Sequence, residues 1–230
     1  MIEFNSPIIR VVSDWHMGNG GRSDDFLGWD DLTAQFLEKC IDENATVVYA
    51  GDTMDIWQSP FQDIIRKHSR VWKLMKAAAG VYLLGNHDRD IQMFTNGSVS
   101  IRRYFISDGL LVMHGDEFDR FNRPGSWIGE FLTKVAGVIE YVYPNVDKMK
   151  IWRSDKDVVR YNQSVAHLAL DMGCLLGVYG HTHKEGFWEV KVQHGRAQIS
   201  TVKIFNSGSI TTGKFPYVEV VGGCARVMYM

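Results

Sequence analysis

The 230 residues carry 25 Lys and Arg against 27 Asp and Glu, a formal net charge of −2, with 45% hydrophobic and 23% charged residues. That is the make-up of an ordinary water-soluble globular chain with room for one large domain, and it argues against a dedicated nucleic-acid coat protein. The start Met1-Ile2-Glu3-Phe4-Asn5 lacks the basic and apolar run of a secretory signal, and no stretch reaches the roughly 18 apolar residues of a spanning helix, so a cytoplasmic protein is expected, peripheral to a membrane at most.

The first element is Ile8-Ile9-Arg10-Val11-Val12, a short β-branched strand that runs into Ser13-Asp14-Trp15-His16. A glycine-rich loop follows (Gly18, Gly20, Gly21), and the spacing of Leu32, Phe36, Leu37 and Ile41 predicts a helix over 30–43. Residues 46–50 read as a second buried strand that ends at Gly51-Asp52. A helix over about 61–79 leads into Val81-Tyr82-Leu83-Leu84, and that strand stops at Gly85-Asn86-His87-Asp88. Residues 109–113 give a strand ending at His114-Gly115-Asp116, and residues 174–179 one ending at Gly180-His181-Thr182-His183.

Between these last two strands, two helices are predicted. One starts near Pro124-Gly125-Ser126, carries Ile128, Phe131, Leu132, Val135, Val138, Ile139 and Val142 at helical spacing, and is stopped by Pro144. The other starts at Ser154, where Asp157 completes a capping-box pattern, and ends at Gly173. Beyond His183, residues 187–192, 197–205, 217–221 and 225–229 read as a second, largely antiparallel sheet packed on the first. With no linker or repeat in view, the chain is expected to form a single domain over 1–230.

One event recurs through this order. Apolar strands end, one after another, in a small cluster of Asp, His, Asn and Gly. In α/β sheets the ligand site lies beyond the carboxyl ends of the strands, so five such ends point to one pocket. Carboxylate can bridge two dications, imidazole is a strong neutral ligand, and Asn adds a carbonyl oxygen without charge. This N/O set with no thiolate suits Mn, Fe, Co, Ni or Zn in an open site rather than a closed structural zinc. Each motif alone has a plainer reading. Asp14-x-His16 would be a capped turn, Gly51-Asp52 a strand-to-loop turn, and His114 a hydrogen-bonded core histidine. His68, His167 and His194 fall outside the motifs and are read as packed or solvated.

Taken together, Asp14-x-His16, Gly51-Asp52, Gly85-Asn86-His87-Asp88, His114 and Gly180-His181-x-His183 resemble the calcineurin-like metallophosphoesterase superfamily. The resemblance implies a four-layer α/β/β/α sandwich with a lid-like helical insert at about 118–172. It also implies two divalent ions, manganese first, that share Asp52. Asp14, His16 and His183 would complete one site, and Asn86, His114 and His181 the other. His87 would assist the leaving group as general acid, with Asp88 orienting it.

The longer forms Gly51-Asp52-Thr53-Met54-Asp55-Ile56-Trp57 and His114-Gly115-Asp116-Glu117-Phe118-Asp119 resemble the branch of UDP-2,3-diacylglucosamine pyrophosphohydrolases, which split a lipid-linked nucleotide diphosphate. Some members carry Arg where this chain has His87. On this reading the partner is a phosphorylated small molecule or lipid nucleotide, gripped by Arg153 and Arg160, while the apolar residues of the insert, with Trp127, Tyr141, Tyr143 and Trp152, either pack on the body of the protein, the first reading of such a stripe, or line an acyl-chain lid. A phosphodiesterase or nuclease with the same dimetal site is the alternative. A non-catalytic binding module is the reading from another class. The cations Arg66, Lys67, Arg70, Lys73 and Lys76, opposed within their own stretch by Asp63 alone, suit a phosphate-rich ligand or a solvated helix face, the latter being the reading for Lys73 and Lys76.

Overall fold

The computed structural model describes residues 7–22, 24–78, 80–91, 100–119, 155–194 and 198–230. Its regular elements are β1 (Ile8–Val12), α1 (Asp30–Asp42), β2 (Thr46–Ala50), α2 (Phe61–Lys67), α3 (Ser69–Ala77), β3 (Gly80–Leu83), β4 (Ser100–Arg102), β5 (Tyr104–Ser107), β6 (Leu110–Met113), α4 (Asp155–Asp171), β7 (Leu176–Tyr179), β8 (Gly186–His194), β9 (Gln198–Asn206), β10 (Pro216–Val221) and β11 (Cys224–Tyr229).

The strands form two sheets, in the orders β11-β10-β1-β2-β3-β4 and β5-β6-β7-β9-β8. In the first sheet β1, β2, β3 and β4 run parallel, and β10 pairs antiparallel with β1. The second is parallel across β6, β7 and β9, with antiparallel edges at β5 and β8. Strands β2, β6 and β7 are buried along their whole length, because both of their faces are covered.

Three apolar clusters separate four layers. Phe36, Leu37, Cys40, Ile64, Val71 and Met75 pack α1–α3 onto the first sheet. Val11, Val48, Val81, Val112, Val178 and Val218 fill the space between the sheets. Tyr161, Val165, Ala166 and Ala169 seat α4 on the second sheet. The layers run α/β/β/α as expected.

Several expectations need correcting. The strands after His183 do not form the second sheet by themselves. The hairpin β10–β11 joins the first sheet beside β1, while β6 and β7 build the centre of the second. A run of apolar residues says that a strand is covered on both faces, not which sheet covers it. The short strands β4 and β5 carry no clear pattern and were not expected. The helix over 61–79 is two helices that part at His68, whose ring is held from the side by Asp24 and Asp30.

In α1 Phe36 and Leu37 are buried, yet Ile41 lies 37% exposed, with Cys40 taking the inward position. Helix α4 ends where expected. Gly173 adopts φ +75°, its N–H bonds Leu170 O, and the Cys174 N–H reaches Ala169 O at 2.7 Å. The predicted helix from Pro124 to Pro144, its aromatic residues, Arg153 and Ser154 lie outside the described residues.

Candidate functional site

The five strand ends lie side by side. Asp14 and His16 follow β1, Asp52 follows β2, Asn86 and His87 follow β3, His114 follows β6, and His181 and His183 follow β7. Backbone bonds lace the loops together: the Asp14 N–H to Gly51 O at 3.1 Å, His16 N–H to Asp52 O at 3.0 Å, and Gly180 N–H to His114 O at 3.1 Å.

The approach is close enough to demand glycine. A Cβ at Gly51, where φ is +84°, would lie 2.6 Å from His114 Cγ, and one at Gly180 would lie 2.6 Å from Asp14 Oδ2. Among the described residues, seven that are not glycine have positive φ, and five of these are Asp14, His16, Asp52, His181 and His183. Strain concentrated at one pocket marks a place where geometry is held for a purpose other than stability.

The polar atoms gather in three sets, each within 4.8 Å: Asp14, His16 and His183; His16, Asp52 and His87; and Asp52, His114 and His181. His16 is shared by the first two sets and Asp52 by the last two. Asn86 joins them through Oδ1, 3.3 Å from His114 Nε2.

Proton bookkeeping tests whether this set fits a metal. His114 Nδ1 donates to Ala50 O at 2.9 Å, so a neutral ring turns its Nε2 lone pair inward. That lone pair faces other acceptors: Asn86 Oδ1, Asp52 Oδ2 at 3.2 Å and His181 Nδ1 at 3.2 Å. His181 repeats the pattern, because its Nε2 donates to Asp119 at 3.1 Å and leaves Nδ1 facing in. On the other side, Asp14 Oδ2 accepts the His181 N–H at 2.9 Å, while buried Oδ1 faces the ring nitrogens of His183 and His16. Asp14 Oδ1 lies 3.0 Å from His183 Nε2, which is 3.4 Å from His16 Nε2. With the rings in these neutral forms, acceptors converge without hydrogens between them, and a positive charge is needed to hold them together. A cation satisfies such a set, and the donors fit a pair of divalent ions.

The charges agree. Burial opposes ionising Asp52 and Asp14, yet the facing rings of His114 and His183 hold both carboxyls below their usual range. Burial also opposes a charge on His114, but the Asp52 carboxylate outweighs it and pushes the ring up to about 10. His16 goes the other way, down to about 4, through burial and the neighbouring His87 charge. The pocket attracts positive charge strongly.

His87 stands at the edge of the pocket. Its N–H donates to Asp52 Oδ1 at 2.8 Å. Its Nδ1 meets Asp55 Oδ1 at 3.1 Å, not the expected Asp88. Asp88 is committed elsewhere: Oδ1 accepts from Gly85 N–H at 2.8 Å, and Oδ2 from Thr53 N–H at 2.8 Å and Tyr82 Oη–H at 2.7 Å. It braces the loops of β2 and β3. Side chains on successive loop residues point apart, so adjacency to His87 in sequence placed the wrong carboxylate beside the ring. Burial works against charging His87, but Asp52 and Asp55 raise it to about 9.

Arg160 lies on α4, 3.8 Å from Asp157, with its guanidinium over the Tyr161 ring at 5.7 Å; that ring packs 5.6 Å from His181. The cations of α2 and α3 are better opposed than their own stretch suggests, since Arg70 pairs with Asp31 and Glu38 on α1. His167 is exposed and His68 is packed in its clamp, the two forms read for histidines outside the motifs. The side chain of His194 lies outside the described residues. Asp119, Asp55 and Trp57 were quoted in the motifs without roles, and Thr211, 3.4 Å from His183 Nδ1, carries no sequence signal.

The model of the calcineurin-like phosphoesterase family matches residues 8–185, and the chain belongs to that family. Among solved structures it is similar to a metallophosphoesterase from Sphaerobacter thermophilus, at 14% identity over 98% of this chain and 89% of that one, TM-score 0.49. It is also similar to a Vps29 mutant from Entamoeba histolytica, at 13% identity over 97% and 98%, TM-score 0.47. A third is a conserved uncharacterized protein from Streptococcus pneumoniae, at 15% identity over 97% of each chain, TM-score 0.41. No curated protein matches. Among the described residues no helix is long and apolar enough to cross a membrane.

Proposed function

We propose that this protein is a two-metal phosphohydrolase that cleaves a phosphoester or diphosphate bond. The observation that carries the reading is the convergence of inward-facing ring nitrogens, carboxylate oxygens and an amide oxygen at five strand ends. Asp14, His16, His183 and Asp52 would hold one divalent ion, and Asp52, Asn86, His114 and His181 the other. Manganese heads the choices by donor set, ahead of iron, cobalt, nickel and zinc. When bound, such a pair neutralises charge on the phosphoryl oxygens and lowers the pKa of the attacking water.

The chain's own residues do the rest. Ala50 O and Asp119 fix the tautomers of His114 and His181 so that their lone pairs face the pocket. Asp55 holds Nδ1 of His87, which leaves Nε2 for the substrate. In the metal-free pocket Asp52 and Asp55 favour the protonated ring, and His87 is assigned as the donor to the departing oxygen.

Within this class the first substrate proposed is a lipid-linked nucleotide diphosphate of the UDP-2,3-diacylglucosamine type. The motif resemblance supports it, as does Arg160, whose guanidinium lies over the Tyr161 ring that packs on His181. A nucleic-acid diester is the second. Purified protein with Mn²⁺ should be given UDP-diacylglucosamine, bis-p-nitrophenyl phosphate, p-nitrophenyl phosphate and single-stranded DNA. UMP release that vanishes in Asp52→Ala supports the lipid substrate. Turnover of the generic diester or DNA alone keeps the hydrolase and removes that substrate. No turnover with any of the five metals would overturn the reading in favour of a binding module.

A further inference from the structure

The turn after Asp52 places an indole where the core has no use for it. Trp57 is half-buried and belongs to none of the three apolar clusters, although its neighbour Ile56 packs on the first. Its ring lies instead against His87, with centroids 4.6 Å apart and planes 27° from parallel. The edge-on contact of His16 closes around the same imidazole, at 4.7 Å and 87°. Asp55, two residues before Trp57, takes Nδ1 at 3.1 Å.

A single hydrogen bond to Nδ1 fixes one atom of a ring and leaves the ring free to swing about that contact. A stacked indole removes the swing. The turn itself is rigid, since the N–H groups of Gln58 and Ser59 both bond Asp55 O, at 3.2 and 3.1 Å.

We propose that Trp57 is a positioning residue for proton delivery: its indole holds the His87 ring so that Nε2 addresses the departing oxygen of the substrate. This rests on the hydrolase reading above. In the step it serves, water oxygen bonds to phosphorus as the bond from phosphorus to the leaving oxygen breaks. The bonding pair stays on that oxygen, which takes the proton of His87. The neutral ring then recovers a proton from solvent, balancing the one lost by the attacking water. Only substrates whose leaving group is a strong base need that proton.

The test is a series of aryl phosphodiesters that runs from p-nitrophenol to unsubstituted phenol as leaving group. Trp57→Ala should lower kcat/KM at least tenfold on the phenyl ester and less than threefold on the p-nitrophenyl ester, steepening the dependence as His87→Ala does; Trp57→Phe should restore most of the loss. NMR of the metal-free protein supplies a readout independent of turnover. The His87 ring protons, shielded by the indole in the wild type, should move downfield in Trp57→Ala. A uniform loss across the series, or unmoved His87 signals, overturns the inference while leaving the hydrolase standing. A wild type inert on every ester and metal overturns both.

Discussion

Among the described residues, histidine meets buried carboxylate at two places. At the break between α2 and α3, His68 faces Asp30 from Nδ1 at 2.7 Å and Asp24 from Nε2 at 3.1 Å. With a carboxylate on each nitrogen the ring is an imidazolium, donating twice. Asp24 is further satisfied by the N–H groups of Gly18, Gly20 and Phe26, at 2.9, 2.7 and 3.0 Å. At the strand ends, His114 and His181 spend one nitrogen each on Ala50 O and Asp119 and turn the other toward further acceptors. The first set is closed: every donor has an acceptor, and nothing is left to bind. The second is open: either ring protons or a metal cation must stand between its facing acceptors, and Asp52 raises His114 to about 10 to supply one in the metal-free pocket. Residue types alone do not separate the two; the direction of the hydrogens does.

The sharpest way to break this contrast is to change one carboxylate in each set. Asp52→Asn keeps the shape but removes the charge that both halves of the open set face. It should cost at least about 10³-fold in kcat on the best substrate, of the order seen when charge-stabilising groups leave an active site. Isothermal titration with Mn²⁺ should show fewer than two ions bound. The wild type should instead gain about 2.7 kcal/mol of stability at Mn²⁺ a hundredfold above its Kd, because the ion binds only the folded chain. Two tight Mn²⁺ sites surviving in Asp52→Asn would sink the view that Asp52 lies between them.

His68→Phe breaks the closed set while filling the same space. It leaves Asp24 buried without its cation and should cost about 3 kcal/mol in urea unfolding. Its kcat, measured well below the melting temperature, should stay within a few-fold of the wild type, because no atom of His68 touches the strand-end cluster. A large kcat loss at unchanged stability would show that the contrast is drawn in the wrong place.

Much of the open set can be read from the chain, since its members sit where apolar strands break off into Gly, Asp, Asn and His. Strand ends are local events, and the sheets bring them together. The closed set is not legible in this way, because Asp24, Asp30 and His68 lie in separate segments with no shared punctuation. The same holds within the site. Asp88 is beside His87 in sequence, but Asp55, 32 residues earlier, is beside it in space. Trp57 and Thr211 gain their contacts only from loop geometry. At the level of the fold, β10 and β11 look like continuations of the preceding strands, and nothing in their composition says that they return to β1. Pattern reports burial; pairing is decided by the whole.

The smallest effect expected is the dependence of the closed set on pH, and its sign follows from the two ends of the pair. Burial opposes charge on His68, but Asp24 and Asp30 raise its pKa above the ordinary 6.5. The folded protein therefore holds this proton more tightly than the unfolded chain, and the stabilisation is full below about 6.5 and fades as pH climbs through the raised value. Burial opposes charge on Asp24 as well, yet His68 and the Gly18 and Gly20 amides lower its pKa below the ordinary 3.8. Its share is full above about 3.8 and is lost as acid titrates it. The clamp is thus strongest from about pH 4 to 6.5 and weakens toward alkaline pH, by about 1.4 kcal/mol for each unit by which the fold raises His68. The strand-end histidines titrate too, so the quantity to measure is the difference in unfolding free energy between the wild type and His68→Phe, both in chelator, from pH 5 to 10. That difference should shrink as pH rises. A constant difference would mean that His68 contributes shape and not charge, and the imidazolium assignment would fall with it.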